Sequence, residues 1–259
     1  MKPLHLLFPL ILTSITSLCG AKPLPESPDE TTKEYNHLIK GKWIHQEKAM
    51  TPNSLPFWFF ADKKKIKSNK KYPLVIALHG RRNKASKGEK FKVQKLASLW
   101  TKDDNYKKNP CFVVQPYYPP KGGWEKVTKE LDETIMNLAE NFPIDLNRIY
   151  LVGFSNGGQG TFRSLARQPE WFAGAVTIAG PVSPKEVAGK FKVPVWCWVG
   201  ENDTSLNKNK RLPILANALI AHDDRVKLTI VPKGKHTYLP LPLGSKEVHT
   251  WLFEQKLEN

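Results

Sequence analysis

The sequence predicts an α/β fold, in which a mostly parallel sheet is covered by helices on both faces. Segments such as "YPLVIALHG" (72–80) and "AGAVTIAG" (173–180) are apolar along most of their length, which indicates strands buried on both sides. Amphipathic segments alternate with them. The segment 127–142 has its apolar residues on one helical face, at Val127, Leu131, Ile135, Leu138 and Phe142. This alternation is typical of parallel strands joined by helical crossovers.

The remaining elements follow from the same patterns, in chain order. Strands are predicted over 55–62, 111–119, 148–155, 193–203 and 226–234, and helices over 91–100, 161–168, 213–222 and 246–257. No internal repeat is visible, and nothing within 35–259 has the composition of a domain linker. We therefore expect one α/β domain over residues 35–259.

The first 21 residues predict a secretory signal peptide. One lysine precedes an apolar run, which ends in small residues at Gly20 and Ala21. The run is too short and too rich in Ser and Thr for a membrane-spanning helix, which needs about 20 apolar residues. Two alternatives stay open: an uncleaved anchor, or a lipid on Cys19, for which the bulky Leu18 is a poor neighbour. Cleavage would give a secreted or periplasmic protein without a stable membrane span, beginning with a Pro-rich polar linker over 22–34.

The chain is strongly basic. It has 40 Lys and Arg against 24 Asp and Glu among 259 residues, a formal net charge of +16. A field of that sign attracts anions. It either keeps an exported protein soluble or favours an acidic polymer partner, such as an anionic polysaccharide. Nucleic acid is not expected, because no basic helix interleaved with stacking aromatic residues occurs and export argues against it.

The segment "RIYLVGFSNGGQG" carries the main chemical signal. Gly153 to Gly157 fit the pattern G-x-S-x-G at a strand-to-helix turn, with Ser155 at its centre. Small residues around the serine let strand and helix approach closely, and the start of a helix favours negative charge developing there. A phosphate-binding turn or an ordinary loop is the alternative. The placement between a predicted strand and a predicted helix favours a nucleophile.

A serine nucleophile needs a base and an acid that orients the base, and in this architecture they follow in the order Ser, Asp or Glu, His. Asp203 follows the strand residues "PVWCWVG" (194–200), and His236 follows the strand residues "VKLTIVP" (226–232). Glu201 competes with Asp203 for the acid, whereas the histidines within helical patterns, His222 and His249, are expected to pack or to face solvent. We predict Ser155, His236 and Asp203 as a catalytic triad.

An oxyanion hole should complete the site. Its donors are expected to be the backbone N–H of Asn156, directly after the nucleophile, and an N–H just past "ALHG", which we assign to Arg81. Gly80 lets the backbone turn sharply, and His79 is expected to brace the loop. The sequence contains no H-E-x-x-H motif, Cys/His cluster or phosphate loop, so neither a metal nor an organic cofactor is expected.

At "YPLVIALHG", "IDLNRIYLVGFSNGG", "VPVWCWVGENDT" and "PKGKHTY" the chain resembles the secreted carboxylesterase branch of the α/β-hydrolase superfamily. That branch includes enzymes similar to feruloyl esterases, acetyl xylan esterases and polyhydroxybutyrate depolymerases. The resemblance covers roughly residues 72–256 and implies the same triad and oxyanion donors. Two departures stand out. Asn156 occupies a position that is often Met or Ala in this branch, and Arg81-Arg82 replace small residues.

The resemblance also bears on the two cysteines outside the signal segment. In the superfamily's strand order, Cys111 and Cys197 lie on opposite halves of the sheet, whereas a disulfide requires Cα atoms within about 7 Å. We therefore predict that both are reduced and buried.

These features predict a secreted serine esterase that acts on carboxylic esters, with polysaccharide-linked acyl groups as candidate substrates. Trp124 could stack on a sugar or an aromatic acyl group, or it could pack under its loop. Arg82 is expected to contact an anionic substrate. A serine peptidase with the same triad and a catalytically inactive carbohydrate-binding module are the alternatives.

Overall fold

The computed structural model describes residues 22–81, 92–118, 122–181, 192–207, 225–236 and 244–258. These residues form an eight-stranded sheet. Its strands are β1 (Ile44–Gln46), β2 (Phe57–Phe60), β3 (Tyr72–Leu78), β4 (Phe112–Pro116), β5 (Ile144–Phe154), β6 (Gly174–Ile178), β7 (Val195–Gly200) and β8 (Val226–Val231). The strand order is β1-β2-β4-β3-β5-β6-β7-β8. The first two pairings, β1 with β2 and β2 with β4, are antiparallel, and the other five are parallel.

Helices lie on both faces of this sheet, as the sequence predicts. They are α1 (Lys95–Ser98), α2 (Asp103–Lys108), α3 (Thr128–Asn141), α4 (Asn156–Arg167), α5 (Thr204–Asn207) and α6 (Lys246–Glu254), with 3₁₀ turns at Lys33–Leu38, Leu99–Thr101 and Trp124–Lys126. Apolar residues of α3 and α4 pack in one core cluster, and those of α1 and α6 pack in a second cluster on the opposite face. Strands β3, β4 and β6 are buried along their whole length, which explains their largely apolar sequences.

Some elements differ from the sequence prediction in extent. Helix α4 begins at Asn156 and not at the predicted residue 161. The prediction missed the first turn because that turn contains glycines, which have low helix propensity. Strand β5 begins at Ile144, ahead of the predicted start at residue 148. Strand β1 and helix α2 were not predicted, since three and six residues are too few to establish a period. The predicted helix over 213–222 and the signal segment 1–21 lie outside the described residues.

The segment predicted as a linker, residues 22–34, packs against the domain instead. The Ser27 hydroxyl oxygen accepts a hydrogen bond of 2.7 Å from the Ile144 N–H at the start of β5. The Trp171 indole N–H donates to the Lys22 carbonyl oxygen at 2.7 Å. Proline-rich polar composition suits an extended strap as well as a free linker, so only these long-range partners distinguish the two.

The two cysteines are free and buried, which confirms their predicted state. Cys111 directly precedes β4 and Cys197 lies on β7, with β3, β5 and β6 between those strands. Burial raises the pKa of the Cys197 thiol to about 12. Among the helices that the structure describes, none is long and apolar enough to cross a membrane.

Candidate active site

Ser155 occupies a strained turn at the carboxyl end of β5. It directly follows that strand and caps α4, with φ of 53° and ψ of −117°. Few non-glycine residues adopt a positive φ, and such strain persists only where the surrounding structure enforces it. Here the Ser155 N–H donates to the Ile178 carbonyl oxygen at the end of β6, at 2.8 Å. The turn therefore holds the serine in a fixed conformation at the carboxyl end of the parallel strands.

The glycines around Ser155 are required by close packing. A Cβ atom on Gly157 would overlap the carbonyl oxygen of Leu78 at the end of β3. A Cβ atom on Gly153 would overlap the carbonyl oxygen of Gly157 itself. Helix α4 thus starts directly against the neighbouring strand, and only glycine leaves room for that approach.

Three side chains from separate loops form a hydrogen-bonded chain at this turn. His236 Nε2 lies 2.9 Å from Ser155 Oγ, and His236 Nδ1 lies 2.8 Å from Asp203 Oδ2. The Asp203 side chain is fully buried, while His236 keeps 26% of its side chain exposed. The structure therefore brings together the three residues that the sequence singles out, in the order nucleophile, base and acid.

The turn after β7 determines which acidic residue reaches His236. Asp203 Oδ1 also accepts a hydrogen bond of 2.9 Å from the Ser205 N–H, so both of its carboxylate oxygens have partners. Glu201 is exposed and accepts a hydrogen bond of 2.8 Å from the Lys233 N–H. Glu201 therefore ties together the loops after β7 and β8, and Asp203 is the residue that contacts the imidazole.

The two expected oxyanion donors lie at the ends of adjacent strands. Asn156 is the first residue of α4, so its N–H has no acceptor within the helix. Arg81 is exposed and follows His79 and Gly80 at the end of β3, which pairs with β5. His79 is fully buried, and its Nδ1 lies 2.6 Å from the Gly80 carbonyl oxygen. A carbonyl only accepts, so Nδ1 carries the proton and holds the turn in place.

The position of Trp124 corrects the expectation that it stacks on substrate. Its side chain is 1% exposed, and its indole N–H donates to the His79 carbonyl oxygen at 2.8 Å. Trp124 therefore packs under the loop, which was the alternative interpretation. A large aromatic ring fits either role in a sequence, and the buried acceptor decides between them. Arg82, the other expected substrate contact, lies outside the described residues.

Two aromatic residues at the site were not singled out by sequence reasoning. The Tyr118 hydroxyl donates to Asn156 Oδ1 at 2.9 Å, and the Phe154 ring lies 5.3 Å from the His236 ring, centroid to centroid. Phe154 adjoins the nucleophile, so the G-x-S-x-G pattern itself was a signal for it. Nothing in the sequence around Tyr118 distinguishes it from an ordinary core tyrosine.

This arrangement supplies the parts that acyl transfer needs. The imidazole can accept the serine proton, the buried carboxylate can stabilise the resulting imidazolium, and the start of α4 favours negative charge. Within the described ranges, no three His, Cys, Asp or Glu side chains are grouped to hold a metal ion. Close to the triad in sequence, the exposed charged residues are Glu201, Lys233 and Lys235, and the exposed Arg81 lies in the loop after β3.

The chain is similar in sequence to a hydrolase family and to one curated protein. The profile of the Dienelactone hydrolase family matches residues 118–241, a range that contains Ser155, Asp203 and His236. NocK of Nocardia uniformis subsp. tsuyamanensis, a protein named as an esterase, is 39% identical over 62 residues, which are 23% of this chain and 18% of NocK.

Solved structures share its architecture. A thermostable esterase aligns with a TM-score of 0.70 and 26% identity, over 83% of this chain and 63% of that one. Dipeptidyl peptidase 4 of Porphyromonas gingivalis aligns with a TM-score of 0.62 and 16% identity, over 83% of this chain and 35% of that one. The chain therefore spans less than two thirds of the length of NocK and of each of these two structures.

Proposed function

We propose that this chain, a hydrolase of the α/β-hydrolase superfamily, cleaves carboxylic esters with Ser155 as the nucleophile. The observation that carries the proposal is the hydrogen-bonded chain from Asp203 through His236 to Ser155, with distances of 2.8 and 2.9 Å. Two further findings support it: the family match over 118–241 and the likeness to esterases.

The first half of the reaction forms an acyl-enzyme. Ser155 Oγ attacks the ester carbonyl carbon while His236 Nε2 takes the hydroxyl proton. The carbonyl oxygen becomes an oxyanion, which the N–H groups of Arg81 and Asn156 stabilise. Asp203 stabilises the imidazolium through Nδ1–H. When the intermediate collapses, the alcohol leaves with the proton from Nε2, and the acyl group remains on Oγ.

The second half reverses these roles with water. His236 Nε2 takes a proton from the water molecule that attacks the acyl carbon, and the same amides hold the second oxyanion. Collapse of this intermediate returns the proton from Nε2 to Ser155 Oγ and releases the carboxylic acid. Each cycle therefore consumes one ester and one water molecule and restores the resting site.

We propose further that the enzyme is exported and acts on esters near negative charge, such as acyl groups on anionic polysaccharides. The net charge of +16 and the exposed Arg81 and Lys235 near the triad support this substrate class.

Export is supported by the signal-like segment 1–21. The Lys22 carbonyl oxygen, which directly follows the expected cleavage point, accepts a hydrogen bond from the Trp171 indole N–H. Mass spectrometry of the exported protein should find Lys22 as the first residue.

Activity on a matched panel of substrates tests the reaction class. The processed protein is incubated with acetyl and feruloyl esters, acylated polysaccharides and dipeptide amides, with the Ser155→Ala variant as control. We expect turnover of esters and none in the variant. Faster cleavage of the amides would assign a peptidase. If no substrate is cleaved and a fluorophosphonate leaves Ser155 unlabelled, the chain is an inactive binding module.

A further inference from the structure

We infer that Tyr118 and Trp124 are positioning residues, which fix the two oxyanion-hole amides relative to one another through the side chain of Asn156. We call Tyr118, Trp124 and Asn156 the oxyanion bridge. The inference rests on the proposed ester hydrolysis, because an oxyanion forms only if Ser155 attacks a carbonyl. It goes beyond that proposal by assigning a role to side chains that do not touch the reacting atoms.

The Asn156 carboxamide is held on both sides. Its Oδ1 accepts hydrogen bonds from the Tyr118 hydroxyl at 2.9 Å and from the Trp124 backbone N–H at 3.3 Å. Its Nδ2 donates to Gln159 Oε1 at 3.2 Å. The Trp124 backbone N–H can only donate, so the Asn156 atom that it faces is the oxygen, and the Tyr118 hydroxyl is then its second donor. Because Asn156 is only 5% exposed, the backbone at the start of α4 is anchored by its own side chain.

The same two aromatic residues contact the other arm of the oxyanion hole. The Trp124 indole N–H donates to the His79 carbonyl oxygen at 2.8 Å. The Tyr118 hydroxyl lies 3.5 Å from the carbonyl oxygen of Gly80, the residue before Arg81. Trp124 therefore bonds to Asn156 through its backbone and to the loop after β3 through its ring. The two amide-bearing segments, which come from different strands, share one set of contacts.

Dense packing makes this bridge rigid. Tyr118 is fully buried and Trp124 is 1% exposed, and their rings meet edge to face with centroids 5.0 Å apart. The His79 ring lies 4.5 Å from the Tyr118 ring and 5.0 Å from the Trp124 ring. A Cβ atom on Gly160 would come within 2.7 Å of Trp124 Cβ, so this glycine lets the tryptophan lie against α4. Hydrogen bonds in such a water-excluded cluster hold their geometry firmly.

The bridge should affect the transition state more than substrate binding. The two amides meet full negative charge only when the carbonyl oxygen becomes an oxyanion, so an error in their spacing raises the barrier while leaving the ground state nearly unchanged. Loss of a bridge contact should therefore lower kcat and leave KM nearly constant. A purely structural role would lower the stability or the number of active sites, and kcat calculated per active site, titrated with a fluorophosphonate, would stay unchanged.

The first test removes one hydroxyl group. Tyr118→Phe keeps the ring packing and deletes the donor to Asn156. We expect kcat to fall about tenfold with KM changed less than about twofold, since small displacements of aligned groups are costly. Tyr150→Phe is the matched control, because Tyr150 is also buried and its hydroxyl donates to a backbone carbonyl, that of Gln255, at 2.7 Å. The control should keep the kcat of the unmodified enzyme.

A double-mutant cycle tests whether Tyr118 acts through Asn156. Asn156→Ala removes the shared acceptor and keeps the backbone N–H. Each single variant should lower kcat, and the Tyr118→Phe/Asn156→Ala variant should be no slower than the slower single variant. Multiplying effects would mean that the two residues act independently, and this would overturn the bridge. If Tyr118→Phe does not fold, Asn156→Ala is tested alone. A lower kcat at a nearly constant KM in that variant would support the bridge, and an unchanged kcat would overturn it.

The rate of Ser155 phosphonylation by a fluorophosphonate separates failure of this inference from failure of the proposed function. This reagent also places negative oxygen in the oxyanion hole and needs no known substrate. We expect slower labelling of Tyr118→Phe and a normal rate for Tyr150→Phe. Equal rates for all three proteins would overturn the bridge and leave the serine hydrolase intact. An unreactive Ser155 in the unmodified protein would overturn both.

Discussion

His236 Nε2 lies 2.9 Å from Ser155 Oγ, although 81 positions separate the two residues and their strands are not neighbours. Ser155 follows β5 and His236 follows β8, with β6 and β7 between them. The loop after β8 reaches back because the Asn202 N–H donates to the Gly234 carbonyl oxygen at 2.8 Å, and Gly200 leaves space for that backbone contact. The base is therefore placed by contacts between two loops as well as by its own strand.

Replacement of the nucleophile is the most direct prediction. Ser155→Ala should lower ester turnover by about 10⁴-fold or more, because the imidazole then has no hydroxyl to activate. Ala is smaller than Ser and fits the same turn, so the circular dichroism spectrum and the unfolding midpoint should stay near those of the unmodified protein. Near-normal turnover by a folded variant would remove Ser155 from the mechanism.

The assignment of the acid predicts an asymmetry between two neighbouring carboxylates. Asp203→Asn should lower kcat by about 10⁴-fold, since an amide that donates toward Nδ1 favours the wrong imidazole tautomer. Glu201→Gln should have little effect, because that side chain is exposed and bonds to the Lys233 N–H. Steady-state kinetics of the two variants on one ester compare them directly, and a slower Glu201 variant would reverse the assignment.

Packing at the nucleophile turn predicts a large loss of stability at one glycine. Gly157→Ala would force Cβ into the Leu78 carbonyl oxygen. Only movement of the backbone could relieve this overlap. We expect the free energy of unfolding to fall by about 3 kcal/mol or more, as overpacking against backbone does at its upper range. Gly244→Ala is the control, since a Cβ atom there meets no atom of the described residues within 4 Å. Urea denaturation of both variants measures the difference, and equal midpoints would contradict the packing.

The positive charge near the site predicts a preference that salt should weaken. At low salt, kcat/KM should be higher for a uronate- or sulfate-bearing ester than for its neutral analogue, because guanidinium and ammonium groups attract the anion. Salt screens such attraction, so the preference should shrink at high ionic strength. Arg82→Ala and Lys235→Ala should each reduce it, whereas Lys71→Ala, near Asp29 and the Ser27 carbonyl, should not. Equal rates on both esters at low salt would assign the charge to solubility.

Burial of both thiols predicts that they do not react in the folded protein. Cys111 is fully buried and Cys197 is 2% exposed, and burial raises the pKa of Cys197 to about 12, so almost none of it is thiolate at neutral pH. Ellman's reagent at pH 8 should find no thiol in the processed native protein and two after denaturation. Fewer than two thiols under non-reducing denaturation would indicate a disulfide and contradict the strand order.

The alternation of buried strands and amphipathic helices could be predicted from the sequence because it depends on local periodicity. The ends of helices were predicted less well where the helix propensity of the residues disagrees with the structure that packing stabilises. Helix α4 starts with Asn156, Gly157 and Gly158, whose low helix propensity concealed its first turn, and contacts with β3 and β6 stabilise that turn.

By itself, the sequence determined the fold class, the serine at the end of a buried strand, and the chain order of Ser155, Asp203 and His236. A strand-to-helix turn and a strand end are local features, and topology places such ends at one edge of a parallel sheet. Only the tertiary structure decided that Asp203 faces the imidazole while Glu201 joins two loops, and that Trp124 turns inward. It also decided that the segment 22–34 lies against the domain. Each of these outcomes depends on hydrogen bonds between residues distant in the chain, whose partners no local pattern specifies.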